Sequence, residues 1–182
     1  MKIFFASGNA DKLREVREIL SEHEIFAMDP QIVEDGQTFA QNALKKATVV
    51  MQKTGCITLA DDSGLEINFL NGAPGIFSAR FLQNASYTEK CNEILKMMND
   101  ARDRTARFVS AIALVFPDSR KFIEHGYLNG FIADKICGDG GFGYDPIFYV
   151  PEYKMTIGEM SAPLKNKISH RRRALNLIKK YL

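Results

Sequence analysis

The chain opens on an apolar run, Ile3-Phe4-Phe5-Ala6, closed by the polar turn Ser7-Gly8-Asn9. Apolar residues then recur at Leu13, Val16, Ile19 and Leu20 with charged residues between them. A short continuous run followed by helical spacing predicts a buried strand over Lys2–Ala6, a tight loop and an amphipathic helix. Helical spacing returns over Thr38–Lys53, where Phe39, Ala43, Ala47, Val50 and Met51 form the apolar stripe and Gly55 is the stop signal. Cys56–Ala60 follows as a second buried strand.

Asp61-Asp62-Ser63-Gly64 has the composition of a turn that ends this strand, and Asn71-Gly72-Ala73-Pro74-Gly75 that of a loop after Leu65-Glu66-Ile67. A helix is expected over Tyr87–Met98. Arg107–Phe116 and Lys121–Ala133 are two long strand patterns joined by Pro117-Asp118-Ser119, which predicts an antiparallel hairpin. The remainder reads as a glycine-rich loop, Gly138–Asp145, an irregular stretch through Pro151 and Pro163, and a basic helix from Ser169 to Tyr181. No repeat, low-complexity tract or linker divides the 182 residues, a length that suits one domain spanning 1–182. The mixed order of helices and strands with one hairpin points to an α/β or α+β sheet flanked by helices.

An apolar share of 46% and a charged share of 25% are ordinary for a globular chain. No segment approaches the roughly 20 apolar residues of a membrane span, and the first apolar run ends too early for a signal peptide. A cytoplasmic protein without a membrane role is expected. The net charge of +2 is too small to argue for nucleic acid, so any anion site must be local. Cys56, Cys91 and Cys137 are odd in number and widely spaced, which fits reduced core residues and not a zinc site. His23 and His125 are isolated, and no Ser/His/Asp or Cys/His arrangement suggests covalent catalysis.

Five segments can carry chemistry. Ser7-Gly8-Asn9-Ala10-Asp11-Lys12 lies where a strand hands over to a helix, so free backbone N–H groups and the Lys12 ammonium could hold phosphate oxygens. Asp61 and Asp62, at a strand end, suit a hard cation such as Mg²⁺. Their side chains should point in different directions, one serving as ligand or base and the other satisfying backbone donors. Glu34, before the second helix, offers another carboxylate for the same metal. In Gly138–Pro146, which is no Walker loop, glycines allow close approach to a ligand and Phe142 could stack on a base. Ser169-His170-Arg171-Arg172-Arg173, with Lys165 and Lys167, is a run of cations for which a solvated basic face is the ordinary explanation.

In combination and order these segments resemble the Ham1-type family of inosine/xanthosine triphosphate pyrophosphatases. The resemblance rests on Ser7-Gly8-Asn9-Ala10-Asp11-Lys12, on Glu34-Asp35-Gly36-Gln37-Thr38-Phe39 with Asn42-Ala43, and on Ala60-Asp61-Asp62-Ser63-Gly64-Leu65. Gly72-Ala73-Pro74-Gly75, Ser78-Ala79-Arg80-Phe81, Gly141–Phe148 and Ile168-Ser169-His170-Arg171 complete it, so that it covers nearly the whole chain. It implies cleavage of inosine, deoxyinosine or xanthosine triphosphate to the monophosphate and pyrophosphate, with Mg²⁺, in a homodimer of elongated, two-lobed subunits of the Maf/Ham1 fold, which is α/β with a central mixed β-sheet flanked by helices. It assigns Ser7, Gly8, Asn9 and Lys12 to the phosphates, Glu34 and Asp62 to the metal, and Asp62 to the attacking water as general base. It further assigns Ser63 to substrate contact, Phe142, Gly143, Tyr144 and Asp145 to the base, and Lys165, His170 and Arg171 to base and phosphates. Gln41 departs from the pattern, since many members carry glutamate there, and alters the local charge. A Maf-type pyrophosphatase of pyrimidine or modified triphosphates and a non-catalytic nucleotide-binding protein are the competing readings; the Phe142 and Ser169-His170-Arg171 blocks count against the first, the Glu34 and Asp62 carboxylates against the second.

Overall fold

The computed structural model describes residues 1–182. Strand β1 (Lys2–Phe5) passes through the expected turn into helix α1 (Ala10–Ile19), and β2 (Glu24–Ala27) returns parallel to β1 with Ile3 opposite Ile25. Helix α2 (Phe39–Thr54) leads to β3 (Thr58–Ile67), which pairs in parallel on the other side of β1 with Phe5 opposite Leu59. The order β2-β1-β3 makes β1 the place where successive connections go to opposite sides, and ligands of α/β sheets gather at the carboxyl end of such a strand. Ala6 N–H donates to the Leu59 carbonyl at 2.8 Å, so Asp61 and Asp62 come just past that end.

The remaining elements are α3 (Tyr87–Met97), β4 (Thr105–Val115), β5 (Lys121–Ile132), β6 (Phe148–Val150), β7 (Met155–Thr156), α4 (Ala162–Ile168) and α5 (His170–Ile178). Bonds from Phe116 N–H to the Arg120 carbonyl and from Ile132 N–H to the Arg104 carbonyl tie β4 and β5 as the predicted antiparallel hairpin. The sheet is seven-stranded and mixed, in the order β2-β1-β3-β4-β5-β6-β7, with β6 antiparallel to β5 and to β7. The α/β expectation therefore holds.

Local chemistry fixes the helix ends. Asn9 caps α1 by accepting from Lys12 N–H at 3.0 Å, and Thr38 caps α2 by accepting from Gln41 N–H at 3.2 Å. Gly55 closes α2 in the left-handed conformation (φ 65°). Ser86 and Glu89 form a reciprocal capping box on α3.

Two compact units are present, Met1–Ser63 with Ser110–Tyr127 and His170–Leu182, and Gly64–Val109 with Leu128–Ser169. The first has a core that includes Ile3, Phe5, Val16, Leu59, Ile112 and Leu175. The second has its own, including Leu65, Ile94, Met98, Phe108, Ile147 and Phe148. No helix is long and apolar enough to cross a membrane.

Two expectations are corrected. Asp61-Asp62-Ser63-Gly64 is no turn: β3 runs unbroken from Thr58 to Ile67 through all four residues. Buried charges can occupy a strand interior when partners neutralise them, and here they do. The stretch through Pro151 and Pro163 is not irregular, because it holds β7 and α4, the latter capped by Ser161, with Pro163 in its first turn where a missing N–H costs nothing. The basic helix expected from Ser169 is present: Ser169, whose N–H donates to the Lys165 carbonyl at 2.9 Å, stands directly before α5, which begins at His170.

Candidate active site

In the first unit the site is built around two adjacent carboxylates that β3 turns to different partners. Asp61 is completely buried. One of its oxygens receives Lys12 Nζ at 2.7 Å, Arg171 Nη2 at 3.0 Å and the Ser63 hydroxyl at 3.1 Å, and the other receives the Ser110 hydroxyl at 2.5 Å. Burial alone would raise this carboxyl, yet the Arg171 guanidinium and the Lys12 ammonium hold it well below the usual range. Arg171 is itself 1% exposed and is held from its other side by Glu15, and its Nη2 also donates to the Ser63 hydroxyl at 3.0 Å. A chain of alternating charge thus links Glu15, Arg171, Asp61 and Lys12.

Gly126 on β5 makes this possible, since a Cβ there would stand 2.0 Å from the His170 carbonyl and 2.5 Å from Ala174 N. Its absence lets the start of α5 lie against the strand, which fixes His170 and Arg171. The Lys12 ammonium is drawn down by burial and by the neighbouring Arg171 and Lys46 charges, against the opposing pull of Asp61.

Asp62 takes the other direction. One oxygen receives Lys46 Nζ at 3.2 Å and the other the Asn42 amide at 3.1 Å. The same Lys46 ammonium reaches Glu34 at 2.6 Å, so carboxylates from the segment before α2 and from β3 converge on one cation. Asn42 also accepts from Gly36 N–H at 2.8 Å, which pins the Glu34-bearing segment to the same helix. Burial pushes the Asp62 carboxyl up, Lys46 and Lys12 pull it down, and Glu34 pushes it up again, with a net rise. Lys46 is held charged because Asp62 and Glu34 outweigh the burial that opposes it.

The loop between β1 and α1 is more open. Gly8 and Asn9 are exposed and Ser7 half-buried, Asn9 N–H donates to the Ser7 hydroxyl at 3.1 Å, and the helix start follows at once.

The second unit carries a separate set. Asp145 is buried and accepts Lys165 Nζ at 2.6 Å and Phe142 N–H at 2.8 Å. The Lys165 ammonium lies 3.9 Å from the centre of the half-buried Phe142 ring. Gly141 has φ 71°, and a Cβ on it would stand 2.1 Å from the Asp145 carboxylate, so only glycine allows this loop to close on its own acid. Tyr144 is buried with its hydroxyl donating to the Ser78 carbonyl at 2.7 Å and its ring edge-on to Tyr87, and burial raises its phenol. Gly143 faces the Tyr87 ring, which a Cβ on it would approach to 3.7 Å.

Among the residues singled out from the sequence, Lys12, Ser63 and Arg171 meet at Asp61, Glu34 meets Asp62 through Lys46, and Phe142, Asp145 and Lys165 meet one another. Ser7, Gly8 and Asn9 stand together at the start of α1. The expected division between the two aspartates holds, but Asp61 is satisfied by side chains and not by backbone donors. Lys165, His170 and Arg171 are buried, so no solvated basic face exists at these positions. Gln41 accepts from Gln37 N–H at 2.7 Å, which employs it in the loop ahead of α2. Glu15, Lys46 and Ser110 were not anticipated, and Asn42 had been given no role. Asn42 and Lys46 fall among Phe39, Ala43, Ala47 and Val50 at helical spacing, and polar groups on a buried stripe are the signal that could have found them.

A model of the Ham1 family matches residues 3–181. A protein of Clostridium perfringens named dITP/XTP pyrophosphatase is 40% identical, with 98% of this chain and 95% of that protein covered. Another of that name, from Desulforamulus reducens, is 42% identical over 96% of this chain and 92% of its own. The solved structure of a Ham1 protein from Coxiella burnetii superposes with a TM-score of 0.90 at 41% identity, covering 100% of this chain and 98% of that one.

Proposed function

The chain belongs to the Ham1 family, and from that premise we propose that it hydrolyses non-canonical purine nucleoside triphosphates, those of inosine, deoxyinosine and xanthosine, to the monophosphate and pyrophosphate. The names of its relatives support the substrate class. The observation that carries the chemistry is the convergence of Glu34 and Asp62 on one buried cation, Lys46 Nζ, at 2.6 and 3.2 Å.

In this reading the oxygen of a water molecule bonds to the α-phosphorus while the bond from that phosphorus to the α–β bridging oxygen breaks. Pyrophosphate leaves with the bridging oxygen, and the water's proton passes to Asp62. The Asn42 amide, donating to one Asp62 oxygen at 3.1 Å, holds the orientation of that carboxylate. Lys12, the start of α1 and Ser7, Gly8 and Asn9 bind phosphate oxygens, where backbone N–H groups and an ammonium suit anionic ligands. Ser63 contacts substrate beside them.

Glu34 and Asp62 are hard oxygen donors from two segments, already sharing a positive charge, and this donor set fits Mg²⁺. Mg²⁺ bound there would neutralise charge on the phosphates and on the leaving pyrophosphate. Every other task falls to side chains.

Base recognition is assigned to the second unit's set. Phe142 offers a flat face, Gly143, Tyr144 and Asp145 shape the loop, and Lys165 donates to the 6-oxo group that hypoxanthine and xanthine share. An ammonium has no lone pair for the 6-amino group of adenine. His170 and Arg171 complete the substrate-binding set, Arg171 acting by its hold on Asp61. One catalytic domain over 1–182, a homodimer and a cytoplasmic location belong to the same reading.

Product analysis with deoxyinosine triphosphate and Mg²⁺ tests it. Deoxyinosine monophosphate and pyrophosphate are expected. Orthophosphate with the diphosphate would overturn the bond assignment, and cleavage of pyrimidine triphosphates with deoxyinosine triphosphate untouched would overturn the substrate class.

A further inference from the structure

Lys46 stands on the apolar stripe of α2, where a lysine is out of place unless something holds its charge. Its side chain is 8% exposed, and its ammonium is the cation common to Glu34, at 2.6 Å, and Asp62, at 3.2 Å. The neighbouring cations are engaged elsewhere. Lys12 reaches Asp61, Arg171 reaches Asp61 and Glu15, and Lys45 reaches Asp35 and the Val33 carbonyl. Asn42, on the second Asp62 oxygen, is neutral.

We infer that Lys46 is an internal competitor for the divalent cation, holding Glu34 and Asp62 as their counter-ion until an anionic triphosphate draws its ammonium away. The inference rests on the assignment of those two carboxylates to the metal. A compact ammonium at hydrogen-bond distance from both acids occupies the space and the charge that a divalent ion would need, and like charges at such a distance repel strongly. Free metal therefore binds this centre weakly. A triphosphate offers Lys46 oxygens of higher charge, and as the ammonium turns to them the acids become available. Metal and nucleotide then bind cooperatively, and by linkage each favours the other equally.

The test is titration of the nucleotide-free protein with Mn²⁺ alone, followed by calorimetry and by the electron spin resonance of free Mn²⁺. Lys46→Met and Lys46→Gln, which remove the charge, are expected to bind Mn²⁺ about tenfold more tightly than wild type, within the usual range of coupling between sites. Lys46→Arg, which keeps the charge, should stay within about twofold, as should Lys45→Met, which removes a nearby charge that touches neither acid. Without metal, the two neutral variants should melt below wild type, and Mn²⁺ should raise their melting temperature by more. Unchanged or weaker Mn²⁺ affinity in both neutral variants, when the wild-type protein itself hydrolyses deoxyinosine triphosphate to the monophosphate and pyrophosphate, overturns the inference alone. An equal gain in Lys45→Met overturns it too, since the effect would then be the general field. If no variant and no wild-type protein takes up Mn²⁺, the metal assignment falls and the inference with it.

Discussion

Arg171 in α5 and Asp61 in β3, 110 residues apart in sequence, form an ion pair at 3.0 Å in which the side chains are 1% and 0% exposed. Removing one partner of such a pair leaves a buried charge uncompensated, a loss of about 3–5 kcal/mol. Asp61→Asn and Arg171→Met should each lower the unfolding free energy by about that amount, and the double variant should lose less than the sum. Urea denaturation of the four proteins checks this. Strictly additive losses would show that the two side chains do not act as a unit.

Asp62→Asn keeps the shape of the side chain and the contact with Asn42 while removing the lone pair that takes up a proton. Turnover of deoxyinosine triphosphate should fall by about 10²–10⁴, the usual worth of a general base, with substrate affinity largely kept. Pyrophosphate release gives the first quantity and calorimetry the second. Activity equal to wild type would remove Asp62 as the base.

Lys12 differs in kind, because it is assigned to capture and not to proton transfer. Losing one charge-assisted hydrogen bond is worth about 1.5–3 kcal/mol, so Lys12→Ala should raise KM by about one to two orders of magnitude and change kcat less. Steady-state kinetics separates the two. An unchanged KM would count against the phosphate role.

Much of the fold was legible because local and global preferences agree. The stop at Gly55 and the hairpin around Pro117-Asp118-Ser119 stand where the pattern put them. What escaped was decided by distant partners. Asp61-Asp62-Ser63-Gly64 has turn composition, and it remains extended because Lys12, Ser110 and Arg171 satisfy Asp61 while Asn42 and Lys46 satisfy Asp62. The basic run at Ser169-His170-Arg171 read as a surface feature because no sequence spacing reveals that Glu15 and Asp61 wait for Arg171. Helix α4 is too short for a periodic signal and has Pro163 near its start. Lys46 was visible as a cation on an apolar stripe, but its two acids, 12 residues before it and 16 after, were not.

Burial lifts the Cys91 thiol to about 11, with the Asp145 carboxylate adding to the rise. A raised value in the folded state favours the neutral thiol, so its contribution to stability is whole below pH 9.0 and is lost as pH climbs through about 11. In Cys91→Ala the urea midpoint should fall less steeply across that interval. At pH 8, iodoacetamide should modify the half-buried Cys56 and Cys137 well before Cys91, as mass spectrometry of the digested protein would reveal. Early labelling of Cys91 would contradict its burial.

Lys165 offers the sharpest test of purine choice. Its ammonium donates to Asp145 at 2.6 Å and lies 3.9 Å from the Phe142 ring centre, beside the face assigned to the base. Because it can only donate, it favours a 6-oxo purine and gains nothing from a 6-amino one. Lys165→Met should therefore lower kcat/KM for deoxyinosine triphosphate by about 10–100-fold, the worth of one charge-assisted hydrogen bond, while kcat/KM for deoxyadenosine triphosphate should change little. Lys165→Arg, which keeps a donor and the charge beside Asp145, should recover part of the preference. Equal losses on both substrates would mean that Lys165 serves the shape of the loop and does not read the base. Guanine carries the same 6-oxo group, so the ratio of deoxyinosine to deoxyguanosine triphosphate should not move in Lys165→Met. A shift in that ratio would mean that the ammonium senses the 2-position instead.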